Sequence, residues 1–203
     1  MTYRGKRALD IVLGGTALLL SAPLLAVSAA LIRLESHGHP IYRQRRVGLG
    51  GEPFELYKLR TMVTDAERMG AGLIVDAGDA RITRIGAWLR RYSIDELPNL
   101  LNVLAGEMSL VGPRPTVQVQ VDQYSERQRG RLDVRPGITG WAQVNGRASL
   151  PWHERIELDL WYVEHVSLAL DVRILWRTLR MVLTGHGLYR GETGGWREPP
   201  ASG

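Results

Sequence analysis

Cysteine is absent from the 203-residue chain. That excludes disulfides, zinc–thiolate sites and cysteine nucleophiles. Lysine is nearly absent: Lys6 and Lys58 are the only two among 26 basic residues, and the rest are arginine. The five histidines, His37, His39, His153, His165 and His186, have no metal-ligand spacing. No internal repeat and no long low-complexity run is present. Charge is missing altogether from residues 11–32.

What is present is a folded composition, 44% hydrophobic and 23% charged. It suits one domain, or one domain with a membrane element. The net charge of +5 is carried by arginines, which suit bidentate grip on phosphates and anionic lipid. Nucleic acid is not an expected partner: the basic residues are dispersed, and no helix-turn-helix, zinc finger or aromatic RNA-binding motif stands out.

The uncharged run IVLGGTALLLSAPLLAVSAALI is long enough, as a helix, to reach across about 30 Å of hydrocarbon. Three readings fit it. One is a spanning helix. Another is a signal peptide, since Lys6 and Arg7 precede the run and Val27-Ser28-Ala29 resembles a cleavage site. The third is a re-entrant helix that enters and leaves on one face. Pro23 lies mid-run, where it removes one backbone hydrogen bond and favours a kink, and Ser21 is placed to satisfy a freed carbonyl. Basic residues flank both ends, so the positive-inside rule gives no preference for crossing.

Beyond it, residues 41–46 and 53–58 flank a glycine-rich stretch and read as a hairpin. Residues 83–91 read as an amphipathic helix, with Ile85, Trp88 and Leu89 on one face. Residues 98–104 form a second helix, 112–115 a loop, 117–131 a polar helix and 135–147 an irregular glycine-rich stretch. Residues 150–166 and 168–184 are helical. The last of these mixes Trp176, Leu179 and Val182 with Arg173, Arg177 and Arg180, a pattern that fits a membrane interface or a surface helix packed on a core. Residues 191–203 read as a disordered tail.

The chemistry concentrates around residues 91–98, RYSIDELP. Pro98 marks a helix start, so Asp95 and Glu96 sit by a positive helix end that keeps carboxylates ionised and attracts phosphate. Adjacent carboxylates there suit Mg²⁺ or attack on phosphorus. The competing reading is a capping box, Ser93-x-x-Glu96, in which Glu96 only caps a helix. Strand alternation puts Lys58 and Arg60 on one side, as for a diphosphate clamp or an ordinary basic strand. Prolines stiffen the loop around Arg114. Glycines permit close backbone approach near Arg147.

Taken together, residues 54–62 (FELYKLRTM), 95–115 (DELPNLLNVLAGEMSLVGPRP), 135–147 (RPGITGWAQVNGR), 158–163 (LDLWYV) and Leu170-Asp171 resemble the bacterial sugar transferases, the monotopic polyprenyl-phosphate phosphoglycosyl transferases. The resemblance runs from Lys6-Arg7 to about Tyr189 and is closest to the minimal form, without an extra N-terminal membrane domain. It implies an α+β, mostly helical fold. Residues 1–36 would form a re-entrant helix broken at a Ser-Pro pair, here Ser21 and Pro23 with Ala22 between. Residues 37–190 would form the catalytic domain, at the cytoplasmic face of the bacterial inner membrane. It further implies transfer of a sugar phosphate from a UDP-sugar to undecaprenyl phosphate, releasing UMP, an early membrane step of glycoconjugate or exopolysaccharide synthesis. Asp95 would be the nucleophile of a covalent intermediate and Glu96 its partner, as ligand to a Mg²⁺ cofactor or as proton acceptor. Lys58, Arg60, Arg114 and Arg147 would hold phosphates or nucleotide. Asp159 stands at a motif position and is grouped with them. A catalytically dead membrane scaffold and a secreted binding protein are the alternatives. Neither the sugar nor the oligomeric state is legible.

Overall fold

The computed structural model describes residues 2–66, 69, 79–146 and 150–184. The first element, α1 (Lys6–Glu35), follows Gly5, whose φ of 88° only glycine adopts freely, and ends at Ser36, whose N–H donates to the Ile32 carbonyl. Its alanines and leucines favour a helix, but its faces are inverted relative to a soluble helix. Lys6, Asp10 and Gly14, each four residues apart, are buried with Ser28 and Ile32. Leu19 and Leu20 are 78% and 79% exposed. Among the described residues α1 is the one helix long and apolar enough to cross a membrane.

Both ends of α1 are fastened to the same body. At its start the Lys6 ammonium lies 2.5 Å from Asp171 Oδ2. Arg7 donates to the carbonyls of Val103 and Leu104, and Asp10 Oδ1 accepts from Ser109 Oγ and Leu110 N, both at 3.0 Å. At its end Ile32 packs with Leu59, Leu89 and Ile94, and Arg60 donates to the carbonyls of Ser36 and His37. Glu35 accepts from the backbone N–H groups of Arg84 and Ile85, where a carboxylate meets the positive end of the next helix. The helical assignment runs through Pro23 without a gap, and Ser21 Oγ donates to the Leu18 carbonyl at 3.2 Å. The expected break at Ser21 and Pro23 is therefore not a non-helical turn.

The hairpin forms as β1 (Ile41–Val47) and β2 (Pro53–Leu59), antiparallel with Tyr42 opposite Lys58. Helix α2 (Arg84–Arg91) starts at Thr83, whose side chain accepts from Gly86 N. A single tight turn, Ile94–Glu96, then leads into α3 (Asn99–Ala105). Strand β3 (Ser109–Val111) pairs in parallel with β4 (Gly137–Thr139). The polar helix expected over residues 117–131 is instead two short ones, α4 (Gln118–Val121) and α5 (Glu126–Arg129). The chain bends between them so that Tyr124 is buried with Val47 and Ile156, and Ser125 opens α5 with a capping box to Gln128. The stretch expected to be irregular holds β4 and α6 (Trp141–Val144). Helices α7 (Trp152–Glu164) and α8 (Leu168–Thr184) close the domain. The tail at 191–203 lies outside the described residues.

The β3–β4 pair fixes the loop that follows β3. A Cβ on Gly137 would lie 2.1 Å from Gly112 N, and one on Gly112 would lie 2.3 Å from the Arg135 carbonyl oxygen. Side chains are thus excluded where the two backbones touch. Gly137→Ala is expected to cost about 1–3 kcal/mol, the usual range for overpacking, read as a lower thermal midpoint. An unchanged midpoint would contradict the close approach.

Candidate active site

The turn Ile94–Glu96 aims two adjacent carboxylates in different directions. Ser93 holds a left-handed backbone, φ 55°, and its side chain caps nothing, so the capping-box reading of Glu96 does not hold. Glu96 instead points into cations. Its Oε1 accepts from Lys58 Nζ at 2.9 Å and from Arg114 Nη2 at 2.6 Å. Arg114 Nη1 lies 3.4 Å from Oε2. The two cations hold this carboxyl well below its usual range against the opposing effect of burial. Burial in turn pushes the Lys58 ammonium below the ordinary lysine value.

Asp95 is only 8% exposed, yet its carboxylate takes no hydrogen bond from any described residue. Burial, and then the negative charge of Glu96, push its pKa up, and Lys58, Arg90 and Arg114 pull the other way. It borders a cleft of about 590 Å³ that β1, β2, the segment after β2, α2 and α4 enclose. Arg46, Lys58, Arg60, Arg90 and Arg114 line that cleft beside the carboxylates of Asp65 and Asp95. Five cations around one open recess favour a polyanion such as a diphosphate. Among described non-glycine residues, Asp65 (φ 60°) and Ser93 are the two with positive φ. Asp65 lines the cleft and Ser93 begins the turn that carries Asp95 and Glu96. Functional sites are where backbone strain of about 1–3 kcal/mol per residue is most often retained.

Of the sequence-predicted residues, the structure brings together Asp95, Glu96, Lys58 and Arg114. Arg60 reaches the cleft wall, but its guanidinium is spent on the carbonyls that end α1. Asp159 is not on the wall: it is buried on α7 against Arg131 Nε at 2.7 Å, and its grouping with the substrate ligands is corrected on that ground. Arg147 lies outside the described residues. Sequence reasoning missed Tyr42, Gln44, Arg46, Arg90 and Asp65. Period-two alternation along β1, with Tyr42 opposite Lys58, would have found the first three. Arg90 and Asp65 carried no such signal.

For a metal, no cluster of three or more histidine, aspartate or glutamate side chains occurs among the described residues. Glu96 is already occupied by Lys58 and Arg114. Of the adjacent pair Asp95 is the one with free oxygens, and Asp65 is the other carboxylate on the cleft wall. This donor set fits Mg²⁺ only where substrate phosphates supply further ligands, the usual habit of that ion.

A carboxylate left ionisable in a dry wall destabilises the fold. Because the folded pKa of Asp95 is raised, the protein is relatively more stable below the ordinary carboxylate range and loses that advantage as pH rises through the folded value. Asp95→Asn is expected to raise the thermal midpoint at neutral pH, with the gain shrinking on acidification. A lower midpoint at neutral pH would contradict the geometry.

Residues 1–185 match the family model described as bacterial sugar transferase. An uncharacterised sugar transferase, EpsL, of Bacillus subtilis (strain 168) is 43% identical over 183 residues, covering 90% of this chain and 89% of the relative. The UDP-N-acetylgalactosamine-undecaprenyl-phosphate N-acetylgalactosaminephosphotransferase of Aeromonas hydrophila is 45% identical over 188 residues, covering 90% of this chain but 44% of that protein. The UDP-glucose:undecaprenyl-phosphate glucose-1-phosphate transferase of Caulobacter vibrioides is 44% identical over 200 residues, at 91% and 72%. The class that the cleft and these matches define is that of the phosphoglycosyl transferases, enzymes that move sugar phosphates. The chain belongs to the bacterial sugar transferase family.

Proposed function

We propose that the protein transfers a sugar 1-phosphate from a UDP-sugar to undecaprenyl phosphate, by way of a phosphosugar covalently held on Asp95. The observation that carries this reading is the division of labour within one turn: Glu96 clamped by two cations, Asp95 unbonded at the wall of a cationic cleft. An Asp95 oxygen attacks the phosphorus that bears the sugar. The bond from that phosphorus to the bridging oxygen breaks, and UMP leaves with the oxygen and its electron pair. An oxygen of undecaprenyl phosphate then attacks the same phosphorus, and the carboxylate of Asp95 is regenerated. Lys58, Arg90 and Arg114 hold the diphosphate and offset its charge, as phosphoryl transfer chiefly requires. Glu96, with its depressed pKa, fixes Lys58 and Arg114 and is a poor proton acceptor. Mg²⁺, held by Asp95 and the substrate's own phosphates, would neutralise diphosphate charge.

The same reading places α1 in the membrane as a re-entrant helix. Its apolar face is outward, and both of its ends are bonded to one body, which supports entry and exit on one side. Leu168, Val172, Trp176, Leu179 and Leu183 form an exposed apolar stripe on α8, as an interfacial helix would present. The cleft then opens at the cytoplasmic face, where nucleotide sugars are made.

UMP release should be measured from a panel of UDP-sugars with undecaprenyl phosphate and Mg²⁺. Release from one donor by the wild type, and less than about a thousandth of it from Asp95→Asn, is expected, since a missing nucleophile removes the covalent path. Activity within a few-fold of wild type in the variant would sink the nucleophile assignment. The chain has no native cysteine, so single cysteines at Thr2 and Ser36 report topology cleanly. Neither should react with an impermeant thiol reagent from the periplasm. Labelling of one alone would mean that α1 crosses.

A further inference from the structure

Away from the cleft wall lies a buried pair, Asp159 on α7 and Arg131 on the turn Gly130–Leu132 that follows α5, and neither lines the cleft or bonds Glu96. Asp159 is 1% exposed and Arg131 4%. Arg131 spreads its guanidinium over three partners: Nε to Asp159 Oδ2 at 2.7 Å, Nη1 to Tyr124 Oη, and Nη2 to the backbone carbonyl of Arg114 at 2.7 Å. Trp152 lies against its face, 5.6 Å from ring centre to guanidinium carbon. One turn further along α7, Tyr162 Oη lies 3.1 Å from the Val111 carbonyl. Both ends of residues 111–114 are therefore tied to α7, one directly through Tyr162 and the other through Arg131, which Asp159 of α7 holds. Pro113 and, just beyond this segment, Pro115 already restrict the backbone on either side of Arg114. The orientation of the Arg114 peptide is the remaining freedom, and Arg131 fixes it.

We propose that Asp159 and Arg131 are positioning residues that act through a single carbonyl to aim the Arg114 guanidinium at Glu96 and at the phosphates of the bound nucleotide sugar. The inference rests on the transferase reading of the cleft. Stability does not account for the pair. Asp159 Oδ1 is buried without a hydrogen-bond partner, and a buried ion pair that leaves polar atoms unpaired is commonly no more stable than apolar residues of similar volume. Geometry does account for it. A forked guanidinium with three fixed acceptors is a rigid bracket, which a lysine or an apolar residue would not supply. Rigid support behind a binding side chain also matters to rate, because a displacement of about 1 Å at a reacting centre can cost roughly a hundredfold.

The test compares UMP-release kinetics in four full-length proteins: wild type, Arg114→Ala, the joint replacement Arg131→Met with Asp159→Leu, and all three changes together. Replacing both partners avoids stranding a buried charge. The joint replacement is expected to lower kcat/KM by roughly ten- to a hundredfold with the thermal midpoint held, and to lower it no further once Arg114 is alanine. Losses that multiply in the triple variant would overturn the relay, because the pair would then act independently of Arg114. Should the joint replacement fail to fold, Arg131→Lys keeps the charge opposite Asp159 and removes the fork. A similar loss of kcat/KM is expected from it, and a wild-type rate would overturn the proposal. Wild-type UMP release tests the transferase reading by itself, whereas only the ratios among variants test the relay.

Discussion

The Glu96 carboxylate, shared between Lys58 and Arg114, is the interaction on which the site depends. Three segments distant in sequence meet there: the end of the hairpin, the turn before α3 and the proline-stiffened loop after β3. Each cation alone would be drawn to the nearest anion, and Asp95 is the competing one. By occupying both, Glu96 leaves Asp95 with its oxygens free and raises its pKa through charge as well as burial. A buried carboxylate without a hydrogen bond is unfavourable for folding, and the surrounding structure offsets that cost. The left-handed backbone at Ser93 belongs to the same trade, because it turns the chain so that neighbouring carboxylates diverge.

The helix at the N-terminus is joined to this arrangement by polar contacts. Asp10 reaches Ser109 and Leu110 on β3, the strand that leads into the Arg114 loop. Lys6 and Tyr3 meet Asp171, which also accepts from Tyr162. At the other end Arg60 holds the carbonyls of Ser36 and His37, just beyond α1. An outward apolar face leaves only the inner stripe for specific contacts, and that stripe is where Lys6, Asp10, Gly14, Ser28 and Ile32 fall. The outward apolar surface and the contacts that place the Arg114 loop thus use opposite faces of one helix.

Much of this was legible in the sequence, and the failures have physical causes. The hairpin followed from alternation around glycines, and α2 from Thr83 ahead of Ile85 and Leu89. Asp95 and Glu96 stood out because Pro98 marks a helix start. The Ser93 capping box failed because it presumes an extended backbone at the cap, and Ser93 is left-handed. The opposite error occurred at Ser125, where the same signature, with Gln128 three residues on, marks the start of α5 inside a stretch read as one helix. The β3–β4 pair was invisible, since strands of three residues carry no periodicity. Arg60 shares a side with Lys58, as alternation predicts, but the carbonyls at the end of α1 capture it. Asp159 could not be placed from sequence, because its partner is 28 residues away and no local pattern marks a buried pair.

The most direct test of the central claim is intact-mass analysis of the wild-type protein after incubation with its UDP-sugar and Mg²⁺, without undecaprenyl phosphate. The account predicts an adduct of one sugar phosphate, mapped to Asp95 by peptide analysis and lost when undecaprenyl phosphate is added. Turnover without any adduct, or an adduct on another residue, would contradict it.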